Sequence, residues 1–273
     1  MNVNNIKIAV SGINGKMGSK IIKEIIQIHK TKNKNIFLGG VLYNRKNQIN
    51  TSLVSILNKL NVKIVDNLSK IKNDFDVLID FTHPTSSIEY LQNCKKYNKK
   101  IVIGTTGFNK IQKLEISKIS KNIAIVLSPN FSIGLNVMLK LLKQTTKIIG
   151  EDSDIEIIEM HHKKKIDKPS GTAIAMGETI SNTLGVSFNK CFIDRNINIK
   201  NNIQKSKYIG FSSLRAGNIV GEHTALFIKK NERLEIVHKS SNRSIFANGA
   251  IKAAIWLVDK NQGLFNMNHV LNI

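Results

Sequence analysis

Two adjacent histidines, His161 and His162, run directly into Lys163, Lys164 and Lys165, and a Pro-Ser-Gly-Thr step ending at Gly171 and Thr172 follows. An imidazole titrates near neutral pH and an ammonium is a proton donor, so a histidine and a lysine close in sequence can pass a proton to a reacting group. Backbone N–H groups and a hydroxyl at the start of a helix suit a carboxylate. The stretch therefore fits proton delivery to a small anion held at a helix end. The plainer reading is that a histidine on a strand is a structural residue and a lysine run is solvated. Lys163, Lys164 and Lys168 are read that way. No metal is expected, because neighbouring strand residues such as His161 and His162 point to opposite faces.

A second constellation lies near the N-terminus, where "IAVSGINGKMGSKII" sets Gly12, Gly15 and Gly18 between an apolar strand and an amphipathic helix. Such a turn lets backbone N–H groups approach a pyrophosphate at the positive end of the helix. The spacing is GxxGxxG rather than GxGxxG, and a glycine turn that binds nothing is the competing reading. The second apolar strand ends in Tyr43, Asn44, Arg45 and Lys46, without the acid that usually holds ribose hydroxyls. Two cations there tilt the expected cofactor towards NADP.

Elements that would position these groups are legible from hydrophobic periodicity. Short apolar runs at 6–10, 36–43, 62–65, 76–81, 100–106 and 123–128 alternate with helical stretches, the first at 16–30. That is the pattern of a parallel sheet covered on both faces. Beyond residue 130 the texture changes. Helices are expected at 134–149, 172–184 and 245–258, a strand at 155–162, and an antiparallel run of strands over 209–240. The expectation is an α/β dinucleotide-binding domain over 1–130, completed by 241–273. An α+β substrate and oligomerisation domain with a mixed or antiparallel sheet would occupy 131–240.

Composition bounds the remaining choices. A net charge of +22 invites a nucleic-acid partner, but the charge is mostly lysine scattered along the chain and aromatics are only 6%. Nucleic-acid readers favour arginine and interleaved aromatics, so none is expected as partner. No apolar run is long enough for a membrane span, the N-terminus lacks a signal-peptide pattern, and Cys94 and Cys191 read as free thiols. A cytoplasmic chain is expected.

Motifs across nearly the whole length resemble the dihydrodipicolinate reductase family: "GxxGxMG" after the first strand, "DVLIDFTHP" (76–84), "IVIGTTGF" (101–108), "PNFSIGLNVM" (129–138), "EMHHKKKIDKPSGTA" (159–173), "GEHTALF" (221–227) and "ANGAIKAAIWL" (247–257). The resemblance implies hydride transfer from NADPH or NADH to a cyclic dicarboxylate imine in lysine and diaminopimelate biosynthesis. It implies His161 as proton donor and acceptor, Lys165 as proton donor, and His162, Gly171 and Thr172 as substrate contacts. Cofactor contacts are implied at Gly12, Ile13, Asn14, Gly15, Lys16, Met17, Tyr43, Asn44, Gly104, Thr105, Thr106, Ser128, Pro129, Asn130 and Phe131. A homotetramer built through the second domain's sheet is implied as well. Tyr43 and Asn44 stand where some members carry an acid and an arginine, which leaves the choice between NADPH and NADH open. The competing classes are a nucleotide sensor without catalysis, a basic RNA- or phosphate-binding protein, and a semialdehyde dehydrogenase, which would need a nucleophilic cysteine.

Overall fold

A computed structural model describes residues 5–31, 35–43, 51–195 and 208–273. The chain divides into two compact units, Met1–Ile133 with Ser244–Ile273, and Gly134–Arg243. In the first unit the elements run β1 (Ile6–Ser11), α1 (Lys16–Thr31), β2 (Ile36–Leu42), α2 (Thr51–Lys59), β3 (Ile64–Val65), β4 (Val77–Asp80), α3 (Pro84–Lys96), β5 (Lys100–Ile103), α4 (Lys110–Ile119) and β6 (Ala124–Leu127). The second unit holds α5 (Ile133–Ile149), β7 (Asp154–His161), α6 (Gly171–Thr183), α7 (Phe188–Cys191), β8 (Phe192–Asp194), β9 (Ile209–Arg215), β10 (Gly221–Ile228) and β11 (Arg233–Ser240). The chain then returns to the first unit with α8 (Ser244–Leu257), β12 (Gly263–Phe265) and α9 (Met267–Leu271).

Among the described residues the first unit forms a parallel sheet in the order β12-β6-β5-β4-β1-β2-β3. Its strands are β-branched and buried on both faces, as a parallel sheet under two helix layers requires. On one face Ile21, Ile22 and Ile25 of α1 pack with Ile8, Val10, Val41 and the alanines of α8. Each of these fully buried isoleucines contributes roughly 1.5–3 kcal/mol. On the other face Leu91 of α3 and Ile116 and Ile119 of α4 cover Leu78, Ile101 and Ile103. From β1 the order runs one way through β2 and β3, and from β4 the other way through β5 and β6. The crevice outside the carboxyl ends of β1 and β4 is therefore a topological switch point, where parallel sheets take their ligands.

Small residues let α8 seat against this sheet. A Cβ at Gly249 would fall 1.7 Å from the Phe131 carbonyl oxygen, so only glycine lets the helix lie on the loop after β6.

The second unit is a mixed sheet ordered β11-β10-β7-β9-β8. Its inner face, with Ile155, Ile157, Phe211, Ala225 and Phe227, packs on Met138 and Leu142 of α5 and on Met176 and Ile180 of α6. The antiparallel run expected over 209–240 is only partly present. β10 and β11 form a hairpin, but β9 is parallel to β7 and is separated from β10 by it. After β9 the chain crosses the carboxyl end of β7, and two backbone bonds hold the crossing: Ala216 N–H donates to the His161 carbonyl (2.9 Å) and Lys163 N–H to the Gly217 carbonyl (3.3 Å). Alternation within each run shows strands but not which run sits beside which. The crossing matters because it passes over His161.

Candidate active site

β7 alternates half-buried and buried positions, so Glu159 and His161, two apart, share its buried face. His161 Nδ1 lies 2.5 Å from Glu159 Oε2. Arg215, at the end of β9, grips the same carboxylate from two sides: Nη1 donates to Oε2 (2.9 Å) and Nη2 to Oε1 (2.7 Å). Ser170 N–H, just ahead of α6, also reaches Oε1 (3.3 Å). Burial alone would raise the Glu159 pKa, but the hydrogen bonds from Arg215 and His161 and the charge of Arg215 outweigh it and hold the carboxyl below its ordinary range. Burial pushes the His161 pKa down. Glu159 opposes that, while the charges of Lys165 and Arg215 add to it.

His223 of β10 completes the cluster, its ring edge-on to His161 with centroids 5.1 Å apart. Its Nε2 is 3.0 Å from Ser170 Oγ, which also caps α6 by accepting the Ala173 N–H (3.2 Å). Burial, with His161 alongside, pushes the His223 pKa down to about 4, so this ring is neutral at neutral pH.

Lys165 follows β7 in a turn closed by its own N–H to the His162 carbonyl (3.0 Å). Its ammonium donates to both oxygens of Asp167 (2.8 and 2.7 Å), and this contact holds the Asp167 pKa below the usual carboxylate value. His162 is half-buried just past the strand end. Gly171 and Thr172 open α6, and a Cβ added at Gly171 would meet open space. Among the described residues no acceptor is found for their N–H groups, which leaves two donors of the first turn for an anion.

In the first unit, Gly12 takes φ +73° and donates its N–H to the Leu42 carbonyl (3.0 Å), while Gly15 N–H closes back on the Gly12 carbonyl (2.9 Å). At Gly18 a Cβ would fall 2.1 Å from the Gly12 carbonyl oxygen, so α1 can start this close to β1 only without one. Asn14, Gly15 and Lys16 are exposed at the helix start and Met17 is half-buried, whereas Ile13 is fully buried in the core.

The loop after β5 is tied to Asp80, a fully buried carboxylate at the end of β4. Ser11 Oγ (2.5 Å), Thr82 Oγ1 (2.7 Å) and Ser87 Oγ all donate to it, and Thr105 Oγ1 lies 3.3 Å away. At Gly104 a Cβ would fall 2.1 Å from the Phe81 ring, so that ring can lie this close to the backbone only beside a glycine. Thr106 and Pro129 are exposed, Asn130 and Tyr43 half-buried, and Thr105, Ser128 and Phe131 buried. The buried members of this set, with Ile13, offer a ligand backbone rather than side chains. Asn44, like Arg45 and Lys46, lies outside the described residues.

Sequence reasoning missed Glu159, Arg215, His223 and Asp80. Glu159 had a readable signal, its two-residue offset from His161 on a strand. Arg215 and His223 arrive from distant strands; His223 lies within the GEHTALF motif, but nothing in the spacing pairs either residue with His161. His161 and His162 do point to opposite faces, but the fold brings donor atoms of Glu159, His161 and His223 within 4.8 Å of one another. Arg215 already neutralises the single carboxylate of that set. Both thiols are buried with pKa values pushed up by burial, so neither is the nucleophile that a semialdehyde dehydrogenase needs.

A glycine turn at the switch point of a parallel sheet, together with a separate mixed sheet bearing a histidine, a lysine and an open helix start, defines a two-unit dinucleotide-dependent oxidoreductase. Known proteins narrow the class. Family models described as dihydrodipicolinate reductase, N-terminus and C-terminus, match residues 6–131 and 134–271. The chain belongs to the dihydrodipicolinate reductase family, whose reaction reduces 4-hydroxy-tetrahydrodipicolinate in lysine biosynthesis. The 4-hydroxy-tetrahydrodipicolinate reductase of Buchnera aphidicola subsp. Baizongia pistaciae is 47% identical over 98% of both chains. That of Buchnera aphidicola subsp. Schizaphis graminum is 44% identical over 97% of this chain and 96% of its own. Among solved structures, a dipicolinate-bound dihydrodipicolinate reductase from Paenisporosarcina sp. TG-14 superposes with TM-score 0.73 at 25% identity, covering 96% of this chain and 97% of that one. A probable dehydrogenase from Thermotoga maritima, 12% identical with TM-score 0.60 over 97% and 92% of the two chains, shares the fold.

Proposed function

We propose that His161 and Lys165 carry the proton chemistry of this reductase, while His162 and the Gly171–Thr172 helix start hold its dicarboxylate substrate. NADPH or NADH, when bound, supplies the hydride. Hydride arrival on the conjugated imine builds negative charge in the ring, and a donor of near-neutral pKa relieves it. The observation that carries the reading is Glu159, which binds both the His161 ring and the Ser170 N–H at the entry to α6. One buried carboxylate therefore fixes the distance between the proton donor and the anion-binding helix end. Lys165, held by Asp167, has an ammonium for which a substrate carboxylate is an equivalent partner. The Paenisporosarcina neighbour binds dipicolinate, a planar dicarboxylate of the same chemistry.

The cofactor contacts fall to Gly12–Met17, Tyr43, Asn44, Gly104–Thr106 and Ser128–Phe131 of the first unit, the dinucleotide-binding domain in this reading. Two features support it: the positive-φ turn at Gly12 and the network that ties Thr105 to Asp80. The second unit serves substrate binding and assembly into a homotetramer. Its outer sheet face bears Ile158, Met160 and Leu226 half-buried and Leu214 and Val237 nearly half exposed, more apolar surface than solvent favours. Among the described residues no helix is long and apolar enough to cross a membrane, and two free thiols suit the reducing cytoplasm.

The test follows NADPH and NADH oxidation in parallel with the substrate formed from pyruvate and aspartate semialdehyde by the preceding synthase. His161→Gln and Lys165→Ala each lower turnover by about 100-fold or more with NADPH affinity kept. Full turnover in either variant removes that residue from the mechanism.

A further inference from the structure

We infer that Glu159 and Arg215 are positioning residues that assign proton exchange to Nε2 of His161 and bias its proton affinity in opposite senses, and that Gly221 keeps that nitrogen uncrowded. The inference rests on the assignment of His161 above and deepens it.

The tautomer follows from counting donors. Glu159 receives two N–H groups from Arg215 and one from Ser170, so its oxygens act as acceptors throughout. The remaining partner, His161 Nδ1 at 2.5 Å, must then be the donor. With Nδ1 protonated in either charge state, the proton that comes and goes belongs to Nε2. Among the described residues no hydrogen-bond partner is found for Nε2. Beside it stands the first residue of β10, Gly221, where a Cβ would lie 3.0 Å from Nε2 and 3.4 Å from Cδ2. Gly221 is not among the positive-φ glycines, so its backbone alone does not demand glycine. A Cβ would instead press on the imidazole, which would have to give by a few tenths of an ångström.

The charges facing the ring come from every strand around it. Glu159 lies on the same strand, Arg215 on β9, His223 on β10, and Lys165 on the turn beyond, its charge shared with Asp167. Glu159 favours the imidazolium, while Arg215 and Lys165 oppose it. Arg215 therefore does two things. It keeps Glu159 ionised and pinned, also donating to the Leu214 and Asp167 carbonyls (both 2.7 Å), and it offsets part of the carboxylate's pull on the proton. Without Arg215 the carboxylate's pull on that proton would be stronger.

The experiment measures kcat/KM for the reductase reaction against pH in the full-length enzyme, with NADPH Kd as the control for folding. The limb owed to His161 is the one that His161→Gln abolishes. Glu159→Gln, which keeps the shape and loses the charge, moves that limb about one unit to lower pH. Arg215→Met moves it to higher pH. Gly221→Ala lowers kcat/KM about tenfold or more at every pH and leaves the limb in place. Limbs that do not move in opposite directions overturn the electrostatic part, and an unimpaired Gly221→Ala overturns the assignment to Nε2. Should Arg215→Met not fold, a limb unmoved in Glu159→Gln still refutes the inference. If His161→Gln itself stays fully active, the fault lies instead with the proposed function.

Discussion

Two fully buried carboxylates, Asp80 at 0% and Glu159 at 1% exposure, sit at strand ends in different units and solve the same problem differently. Asp80 is met by the hydroxyls of Ser11, Thr82 and Ser87, and among the described residues no cation pairs with it. Glu159 is met by a guanidinium and an imidazole. Neutral donors arriving from the end of β1, the segment after β4 and α3 pin three stretches of backbone in place. Charged donors transmit charge, and one of Glu159's partners titrates. The first carboxylate thus sets shape, and the second sets the proton affinity of a neighbour.

The largest expected effect breaks the first of these. Asp80→Leu removes the shared acceptor of three hydroxyls, of which Ser87 keeps a good alternative in Thr105 Oγ1 (2.8 Å) and Ser11 a long one in the Ile79 carbonyl (3.4 Å). At about 1–3 kcal/mol for each hydroxyl left poorly paired, the variant loses roughly 4 kcal/mol or does not fold. Asp80→Asn, which keeps one acceptor oxygen, loses less than half as much. Denaturant titration reads both values. A loss under about 1 kcal/mol for Asp80→Leu denies the network its part in holding the glycine turn to the Thr105 loop.

The second carboxylate's surroundings respond to acid. His223 is 5% exposed and its pKa falls from 6.5 to about 4 on folding, mainly because burial disfavours its charge. Between those values the unfolded chain binds a proton that the folded chain refuses. Stability is therefore full above pH 6.5 and is lost as pH falls towards 4. At about 1.4 kcal/mol per unit the loss comes to about 3 kcal/mol. His223→Gln, which cannot titrate, flattens this limb in denaturation measured from pH 7 to 4. An unchanged slope assigns the acid response to other groups.

The contrast also explains how much could be read in advance. Elements made by local pattern were legible: β1, α1 and α5 follow from isoleucine and leucine spacing, and Ser170 caps α6 where the Ser-Gly-Thr step predicts a helix start. His161, Lys165, Gly171 and Thr172 fall at the end of one strand, its turn and the next helix, all within one short stretch of chain. Arg215 and His223 were invisible because β7 takes neighbours that are distant in sequence, and a strand's alternation says nothing of its partner. Asp80 lies within the DVLIDFTHP motif, yet hydroxyls from three segments give no periodic signal. Buried polar networks are assembled by topology, and topology is the part of this fold that residue spacing leaves undetermined.

The smallest effect tests whether the first unit's device is one of shape alone. Gly12 sits at φ +73°, where a Cβ costs about 1–2 kcal/mol, and that Cβ would approach Thr82 Cγ2 at 3.1 Å. Thr82 hangs from Asp80, so Gly12→Ala presses on the network without touching its charge. Stability should fall by about 1–2 kcal/mol and NADPH affinity should weaken, because the turn can no longer close to the same radius. The pH profile of turnover should not move, since no titrating group is involved. Gly15→Ala is the control, with an unexceptional φ and one contact at 3.2 Å to the Gly12 carbonyl oxygen, and should be milder on both counts. A pH limb displaced by Gly12→Ala would mean that the separation between a carboxylate for shape and a carboxylate for charge is too clean.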